Sequence, residues 1–330
     1  MVDSENFAHV LDNFPEQIRE AASLGQDIKI TVKGSTIIIC GMGGSGLPGE
    51  IIKRVAKTPV ILVKDYTLPK FVSQKDIVIA VSYSGNTEET LELYDQAKKK
   101  GVQLIAVASG GQLAERAKKD NRPLIVVPVP DVTGPSGFQP RMAGGYQTIP
   151  LMNLLQDAGI EKQNWNKCAT FLEEEKKSIK ALAKKMAEEL DNRTPLIYSS
   201  EAFFAAAFKW KINVNENAKM HAFCNFFPEW NHNEINAHAK ENNYHVFILR
   251  DEDDHPRIKQ RMSIVSTILK KKQIRTTVIE SRGTTYIERL FWTIYVGDWF
   301  SYFVALAHGV DPTPVNVIED LKKALNQTPI

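Results

Sequence analysis

Cysteine is scarce in this chain, with three in 330 residues, at Cys40, Cys168 and Cys224. They are widely spaced and form no CxxC, so neither a disulfide framework nor a thiolate zinc site is indicated, and a reducing cytoplasm suits them. An excess of charge of either sign is also missing. The 41 basic and 39 acidic residues leave a formal net charge of +2, and the lysines are interleaved with acids. Nothing therefore demands nucleic acid as a partner, and a small-molecule ligand is expected. The opening MVDSENFAHVLDNFPEQIRE lacks the basic stretch and apolar run of a secretory leader and reads as an amphipathic helix. One apolar run, 290–310, has the length of a membrane span but carries Asp298 near its middle. A buried core helix is expected there, and no membrane partner. His232, Glu234 and His238 lie close together without HxH or HExxH spacing, so no metal is expected.

What the chain does have is length for two cores and a repeated strand–helix grammar. Continuous apolar runs at 35–40, 59–64, 76–81, 102–108 and 123–129 alternate with helical patterns, as in strands buried on both faces of a parallel sheet. The Pro- and Gly-rich stretch 128–145 closes this unit, and a helix follows over 146–157. A charged segment, 171–190, reads as a solvated connecting helix. The alternation resumes with strands at 195–200, 244–250 and 274–280 and helices over 201–220 and 257–272. The expected fold is α/β, with two doubly wound domains, each a mainly parallel sheet flanked by helices. The expected division is 1–155, a helical connector 156–192, and 193–330. The shared strand–helix order suggests a structural duplication, although the halves have no close sequence identity.

The first strand runs into GMGGSG, 41–46, and directly into a helical pattern at 47–55. Such glycines let backbone N–H groups and a helix N-terminus approach an anion. The loop also satisfies G-x-G-x-x-G, and Asp65 ends the next strand, about where a nicotinamide-dependent oxidoreductase would hold a ribose hydroxyl. The third strand separates these readings. It ends in VSYSGNTEET, 81–90, placing Ser82, Ser84 and Thr87 on a tight turn at a helix start. Three hydroxyls and a helix dipole aimed at one spot make a phosphate cradle, which a dinucleotide site does not need. The plain alternative for these residues is helix capping by Asn86 or Thr87.

GMGGSG and SYSGNTEET together resemble the sugar-binding core of a sugar-isomerase (SIS) domain. ASGGQLAERA (108–117), Pro140-Arg141 leading to Tyr146, NENAKM, Pro228 to Asn233 and GDWFSYFVALAHGVDPTPV extend the likeness along nearly the whole chain. The ordered set is similar to the bifunctional phosphoglucose/phosphomannose isomerase family. The resemblance implies reversible aldose–ketose isomerisation of glucose 6-phosphate and mannose 6-phosphate to fructose 6-phosphate through a cis-enediolate, with no cofactor. A non-catalytic SIS regulator that binds a sugar phosphate is the other reading.

Carried over residue by residue, the phosphate falls to Gly44, Ser45, Ser82, Ser84 and Thr87. Glu216 resembles the general base; otherwise it reads as a helix-surface acid paired with Lys211 or Lys219. Arg141 matches the arginine that stabilises the enediolate oxygens. His232 resembles the ring-opening histidine, contributed across the interface of a homodimer, with Asn231 and Asn233 able to orient its imidazole. Lys322 is similar in position to a ring-opening or ligand-binding lysine, with Lys323 the adjacent alternative. Thr313, in DPTPV, is a candidate for shaping the pocket. The first strand of the second half ends in YSSEAF where the family usually has glycine, so this loop is expected to pack and not to bind phosphate.

Overall fold

The computed structural model describes residues 2–32, 34–131, 134–239 and 243–327; positions 132 and 133 of the stretch 128–145 lie outside them. The apolar runs form the strands for the reason that marks them in the sequence, which is that helices cover both faces. The first sheet joins β1 (Ile37–Cys40), β2 (Val60–Val63), β3 (Ile77–Val81), β4 (Gln103–Ala108) and β5 (Leu124–Val126). Every pairing is parallel and the order is β2-β1-β3-β4-β5. Its helices are α1 (Phe7–Asp12), α2 (Phe14–Ala21), α3 (Gly43–Val55), α4 (Glu88–Lys100), α5 (Gly111–Lys119) and α6 (Gly144–Leu154). The single helix expected at the start is two short ones. The helix expected from Leu47 begins inside the glycine loop instead, at Gly43.

After α7 (Trp165–Leu190), the second sheet is built from β6 (Thr194–Ser200), β7 (Phe223–Phe227), β8 (Tyr244–Arg250) and β9 (Arg275–Glu280). It too is wholly parallel, in the order β7-β6-β8-β9, and repeats the arrangement of the first four strands of the other sheet. The shared order supports the duplication. β7 was not anticipated. It is a partly exposed edge strand interrupted by Asn225, so it lacks the continuous apolar run of its neighbours.

α8 (Phe204–Asn217), α9 (Pro256–Lys271), α10 (Tyr286–Ala307) and α11 (Asn316–Asn326) complete the chain. α10 is long and apolar enough to cross a membrane, but 83% of its apolar window is buried inside the fold. It packs against α7 and α8 and inserts Trp292, Tyr295 and Trp299 into the core. Truncating any one of these tryptophans to Ala would cost about 3–5 kcal/mol. α7 is more than the solvated connector its charge suggests. Cys168, Leu172, Ile179, Ala183, Met186 and Leu190 form a buried stripe along it, at helical spacing.

Candidate active site

In open α/β sheets a ligand sits beyond the carboxyl ends of the strands, where the strand order reverses. In the first sheet that point lies between β1 and β3, and the two loops singled out in the sequence meet there. Ser45 is buried in the first turn of α3, and its Oγ accepts from the backbone N–H of Tyr83, after β3, at 3.2 Å. Ser82 and Thr87 share a hydroxyl hydrogen bond of 2.9 Å, while Ser84 is exposed. Thr87 occupies the N-cap position of α4 but makes no side-chain capping bond. Ordinary capping therefore does not consume its hydroxyl, and the first N–H groups of α4 remain available to an anion. Gly85 has φ +70°, and a Cβ there would lie 1.9 Å from the carbonyl oxygen of Gly110. The ASGG turn thus braces the loop 82–87 from behind. Leu113 N–H donates to the Gly85 carbonyl at 2.9 Å and Gln112 N–H to Asn86 Oδ1 at 3.1 Å.

Gly44 connects this cradle to the second group of residues. A Cβ on it would come within 2.9 Å of the backbone N and Cα of Arg141. Arg141 follows Pro140 in a short 3-10 turn and is buried, with every nitrogen of its fork engaged. Nε donates to Asn217 Oδ1 at 2.6 Å, Nη1 to Glu216 Oε2 at 3.2 Å, and Nη2 to the carbonyls of Pro312 and Thr313 at 2.8 and 2.7 Å. Burial pulls its pKa down and Glu216 opposes that, but a guanidinium stays cationic. Glu216 is partly open, with its side chain 22% exposed. It is neither a plain surface acid nor paired with Lys211 or Lys219. Lys219 Nζ instead donates to the carbonyls of Asn217 at 3.2 Å and Asp311 at 2.5 Å.

Beneath this pair runs a polar seam through an otherwise apolar interior. Lys209, Asn213 and Asn217 recur every four residues on α8, so they line one face, and all three are buried. Lys209 Nζ donates to the Arg141 carbonyl at 2.6 Å and Asn213 Oδ1 at 2.8 Å, and lies 3.2 Å from Asp298 Oδ1. The Asn213 amide donates to Asp298. Asn217 Nδ2 donates to Ser301 Oγ at 2.9 Å. Burial pushes the Asp298 carboxyl up and the Lys209 ammonium down, and each charge opposes the shift of the other. Asp298, the odd charge in the apolar run, is thus the counter-ion that lets Lys209 hold the backbone of Arg141. The spacing of Lys209, Asn213 and Asn217 was the sequence signal for the seam. It was missed because each residue alone reads as helix surface.

The remaining sequence candidates are not brought to this cluster within one chain. His232 is exposed at the end of a 3-10 turn after β7 and hydrogen-bonds to neither Glu216 nor Arg141. Neither flanking asparagine orients it. The Asn231 amide is buried without a partner, and Asn233 is occupied by Glu229 and the Glu234 backbone. Glu234 accepts from Tyr198 and from Asn225 Nδ2, and His238 is buried edge-on against Trp230. Lys322 is exposed on α11 and pairs with Glu319 at 2.7 Å, while Lys323 faces Asp320. The Thr313 carbonyl, by contrast, touches Arg141 directly. Ser200, at the end of β6, accepts from Phe203 N–H through its hydroxyl at 3.1 Å, a local cap as expected of YSSEAF.

The fold and this site define a double SIS-domain protein of the phosphosugar isomerase class. The SIS domain model matches residues 29–122 and the model described as bacterial phospho-glucose isomerase C-terminal SIS domain matches 179–325. The solved glucosamine-6-phosphate deaminase of Thermotoga maritima shares the fold, with TM-score 0.67 and 15% identity over 92% of this chain and 96% of that one. More specifically, the chain is 38% identical to the bifunctional phosphoglucose/phosphomannose isomerase of Caldicellulosiruptor bescii, over 95% of this chain and 97% of that protein. Against the Thermoplasma acidophilum protein of the same name the identity is 36%, over 97% of each. The chain belongs to the bifunctional phosphoglucose/phosphomannose isomerase family.

Proposed function

We propose that this protein is a cytoplasmic enzyme that interconverts glucose 6-phosphate and mannose 6-phosphate with fructose 6-phosphate, working as two SIS domains, 1–155 and 193–330, joined by 156–192. The observation that carries this is the contact between Gly44, in the phosphate loop, and Arg141, whose guanidinium holds Glu216. The proposed anion cradle and carboxylate base are thereby neighbours, linked through one arginine. The substrate phosphate sits among Gly44, Ser45, Ser82, Ser84 and Thr87 at the N-termini of α3 and α4. With the sugar ring open, Glu216 removes the C2 proton, the electron pair forms the C1–C2 double bond, and the C1 oxygen gains a proton. Returning the carbon-bound proton to C1 while O2 loses its own gives the ketose. The reaction is redox-neutral and needs no external electron carrier. In the enediolate C2 is planar, so both aldoses pass through one intermediate; rotation about C2–C3 selects which face is re-protonated. Arg141 fixes the carboxylate and places a positive charge beside the developing oxyanion.

His232 is assigned to ring opening across the interface of a homodimer, with Lys322 delivered by α11. Two features support this. His232 is exposed and makes no hydrogen bond or ion pair among the described residues. On α11, Val317, Leu321 and Leu325 form an exposed apolar stripe at four-residue spacing, with Val317 83% accessible. The test is a coupled assay from fructose 6-phosphate that follows both aldose phosphates, with and without chelator, alongside Glu216→Gln. Formation of both products, unaffected by chelation and reduced about 10²- to 10⁴-fold in the variant, supports the reading. Binding of fructose 6-phosphate without turnover by the unaltered protein would overturn it in favour of a regulator.

A further inference from the structure

Arg141 sits on a short 3-10 turn, Pro140–Met142, which belongs to neither sheet and to no α-helix. The turn's own backbone fixes it only through Met142 N–H, which donates to the Gln139 carbonyl at 2.9 Å, and Ala143 N–H, which donates to that of Pro140 at 3.2 Å. Buried carbonyls need donors, and side chains serve three of them in succession. Gln147 Nε2 donates to the Pro140 carbonyl at 3.1 Å, Lys209 Nζ to that of Arg141 at 2.6 Å and Gln17 Nε2 to that of Met142 at 2.9 Å. Gln147 lies on the helix that follows the turn, and Lys209 belongs to the seam. Gln17 comes from α2, 125 residues earlier in the chain than its partner. It is buried and both ends of its amide are used. Its Oε1 accepts from the N–H groups of Gly145 at 2.7 Å and Tyr146 at 3.4 Å, so one side chain ties the end of the turn to the start of α6. Space is kept for it, since a Cβ on Gly145 would lie 2.8 Å from that oxygen.

The helix before α2 covers the other end of the arginine. The buried Phe7 ring has its centre 5.7 Å from Arg141 Cζ, within cation–π reach. Asp3 fixes the start of α1 by accepting from Phe7 N–H at 2.6 Å and Ala8 N–H at 3.0 Å. The residues between are tied to loops on both sides of Arg141. Ser4 N–H donates to Asp311 Oδ2 at 3.2 Å, and Glu5 accepts from Ser136 N–H at 3.1 Å and Ser136 Oγ at 2.7 Å. Phe7, Leu11 and Phe14 enclose with Arg141 and Asp298 a space of only about 10 Å³, room for one water at most. Bulk solvent is therefore shut out on this side of the guanidinium.

We infer that Gln17 and Phe7 are positioning residues for the isomerisation, Gln17 acting through the Arg141 backbone and Phe7 through its guanidinium. The inference rests on the isomerase reading, in which Arg141 fixes Glu216 and faces the developing oxyanion. Because both act through Arg141 and leave the phosphate loops alone, turnover should depend on them and sugar-phosphate affinity should not.

The test measures two things in the full chain: kcat and KM from fructose 6-phosphate, and the rate at which phenylglyoxal labels Arg141, read by peptide mass mapping. Gln17→Met keeps the length of the side chain and removes both ends of the bridge. Its kcat should fall roughly ten- to a hundredfold with KM little changed, and Arg141 should be labelled several-fold faster. Phe7→Leu keeps an apolar side chain without the ring and should lower kcat roughly two- to tenfold in the same pattern. Leu269→Ala, in the core against α9, lowers stability far from the turn and should change neither readout. An unchanged kcat in Gln17→Met and Phe7→Leu, or labelling of Arg141 no faster than in Leu269→Ala, would overturn the inference. No turnover by the unaltered protein, with labelling faster in both variants, would overturn the isomerase reading and leave the hold on Arg141 in place.

Discussion

At the carboxyl end of β1 the chain enters α3 through glycines, with Ser45 buried against the backbone of Tyr83; at the carboxyl end of β6 the corresponding turn uses Ser200 to cap itself. After β3 come Ser82, Ser84 and Thr87, whereas after β8 come Asp251, Glu252, Asp253 and Asp254. One strand order thus carries glycines and hydroxyls at the strand ends of one half and a run of carboxylates after β8 in the other. The second half keeps a part in the proposed chemistry. Its first helix, α8, carries Glu216 at its end, and its last long helix, α10, supplies Asp298. On the proposed reading the duplication divides the work, with phosphate recognition assigned to one sheet and the base, with its supporting seam, to the helices of the other.

The sharpest way to break that division is to remove the counter-ion of the seam. Asp298→Ala leaves the buried Lys209 ammonium unpaired and should destabilise the protein by about 3–5 kcal/mol, measured by denaturant unfolding. Asp298→Asn keeps the volume and should fold better, while lowering kcat more than it raises KM, because the Arg141 backbone loosens and the phosphate loops do not. An unchanged kcat in Asp298→Asn would mean that the seam serves the fold alone.

The second sheet contains a titratable group with no counterpart in the first. Burial pulls the His245 pKa down to about 4; the ring stacks on Phe247 at 4.3 Å and meets Thr277 Oγ1 at 2.8 Å. The unfolded chain takes up this proton near pH ~6.5 and the folded chain only near 4. The stability that neutral His245 permits is therefore complete above the unfolded pKa and is lost as pH falls toward 4, by roughly 3 kcal/mol in total. Urea midpoints at neutral pH and near pH 4.5 should show a shallower acid dependence in His245→Gln than in the unaltered protein.

The strands were legible because burial on both faces removes polar alternation, and each of the two loops that meet between β1 and β3 was legible because its glycines and hydroxyls lie within one short stretch. β7 escaped because an edge strand with Asn225 at its middle has no such run. The polar seam escaped for a different reason. Lys209, Asn213 and Asn217 acquire meaning only when α10 brings Asp298 and Ser301 against them, from more than eighty residues away. The roles of Asn231 and Asn233 were misjudged because adjacency in sequence does not aim a side chain: the Asn231 amide is buried without a partner, and Asn233 is taken up by Glu229 and the Glu234 backbone. In the same way α7 reads as solvated when its lysines and glutamates are weighed, and as a core helix once its apolar positions are followed at helical spacing.

The cradle itself can be tested against its counterpart. Gly85→Ala drives a Cβ into the Gly110 carbonyl and displaces Ser84. Losing one charge-assisted contact, worth about 1.5–3 kcal/mol, should raise KM for sugar phosphate ~10- to 100-fold with a smaller change in kcat. Ala202→Gly, in the turn after β6, should leave KM unchanged. A comparable rise in KM in Ala202→Gly would mean that the second switch point also shapes the catalytic pocket.

The smallest effect expected lies where the two halves are tied together. Lys219 holds the Asp311 carbonyl, and the next two carbonyls in the chain, those of Pro312 and Thr313, accept from Arg141. Its ammonium is pushed down to about 8, chiefly by burial and then by the charge of Arg141. Below that pH the tie is charged and complete; above it the lysine loses its proton and with it the electrostatic part of the tie. kcat/KM should therefore decline on the alkaline side with a midpoint near 8 and by only a few-fold, because Arg141 keeps its own hold on the same segment. Lys219→Gln should start at the lower plateau and show no such limb, whereas Lys219→Arg, which stays charged, should keep the higher plateau through the same range. A limb that persists unchanged in Lys219→Gln would assign the titration to another group and leave Arg141 as the link that matters between the 311–313 segment and Glu216.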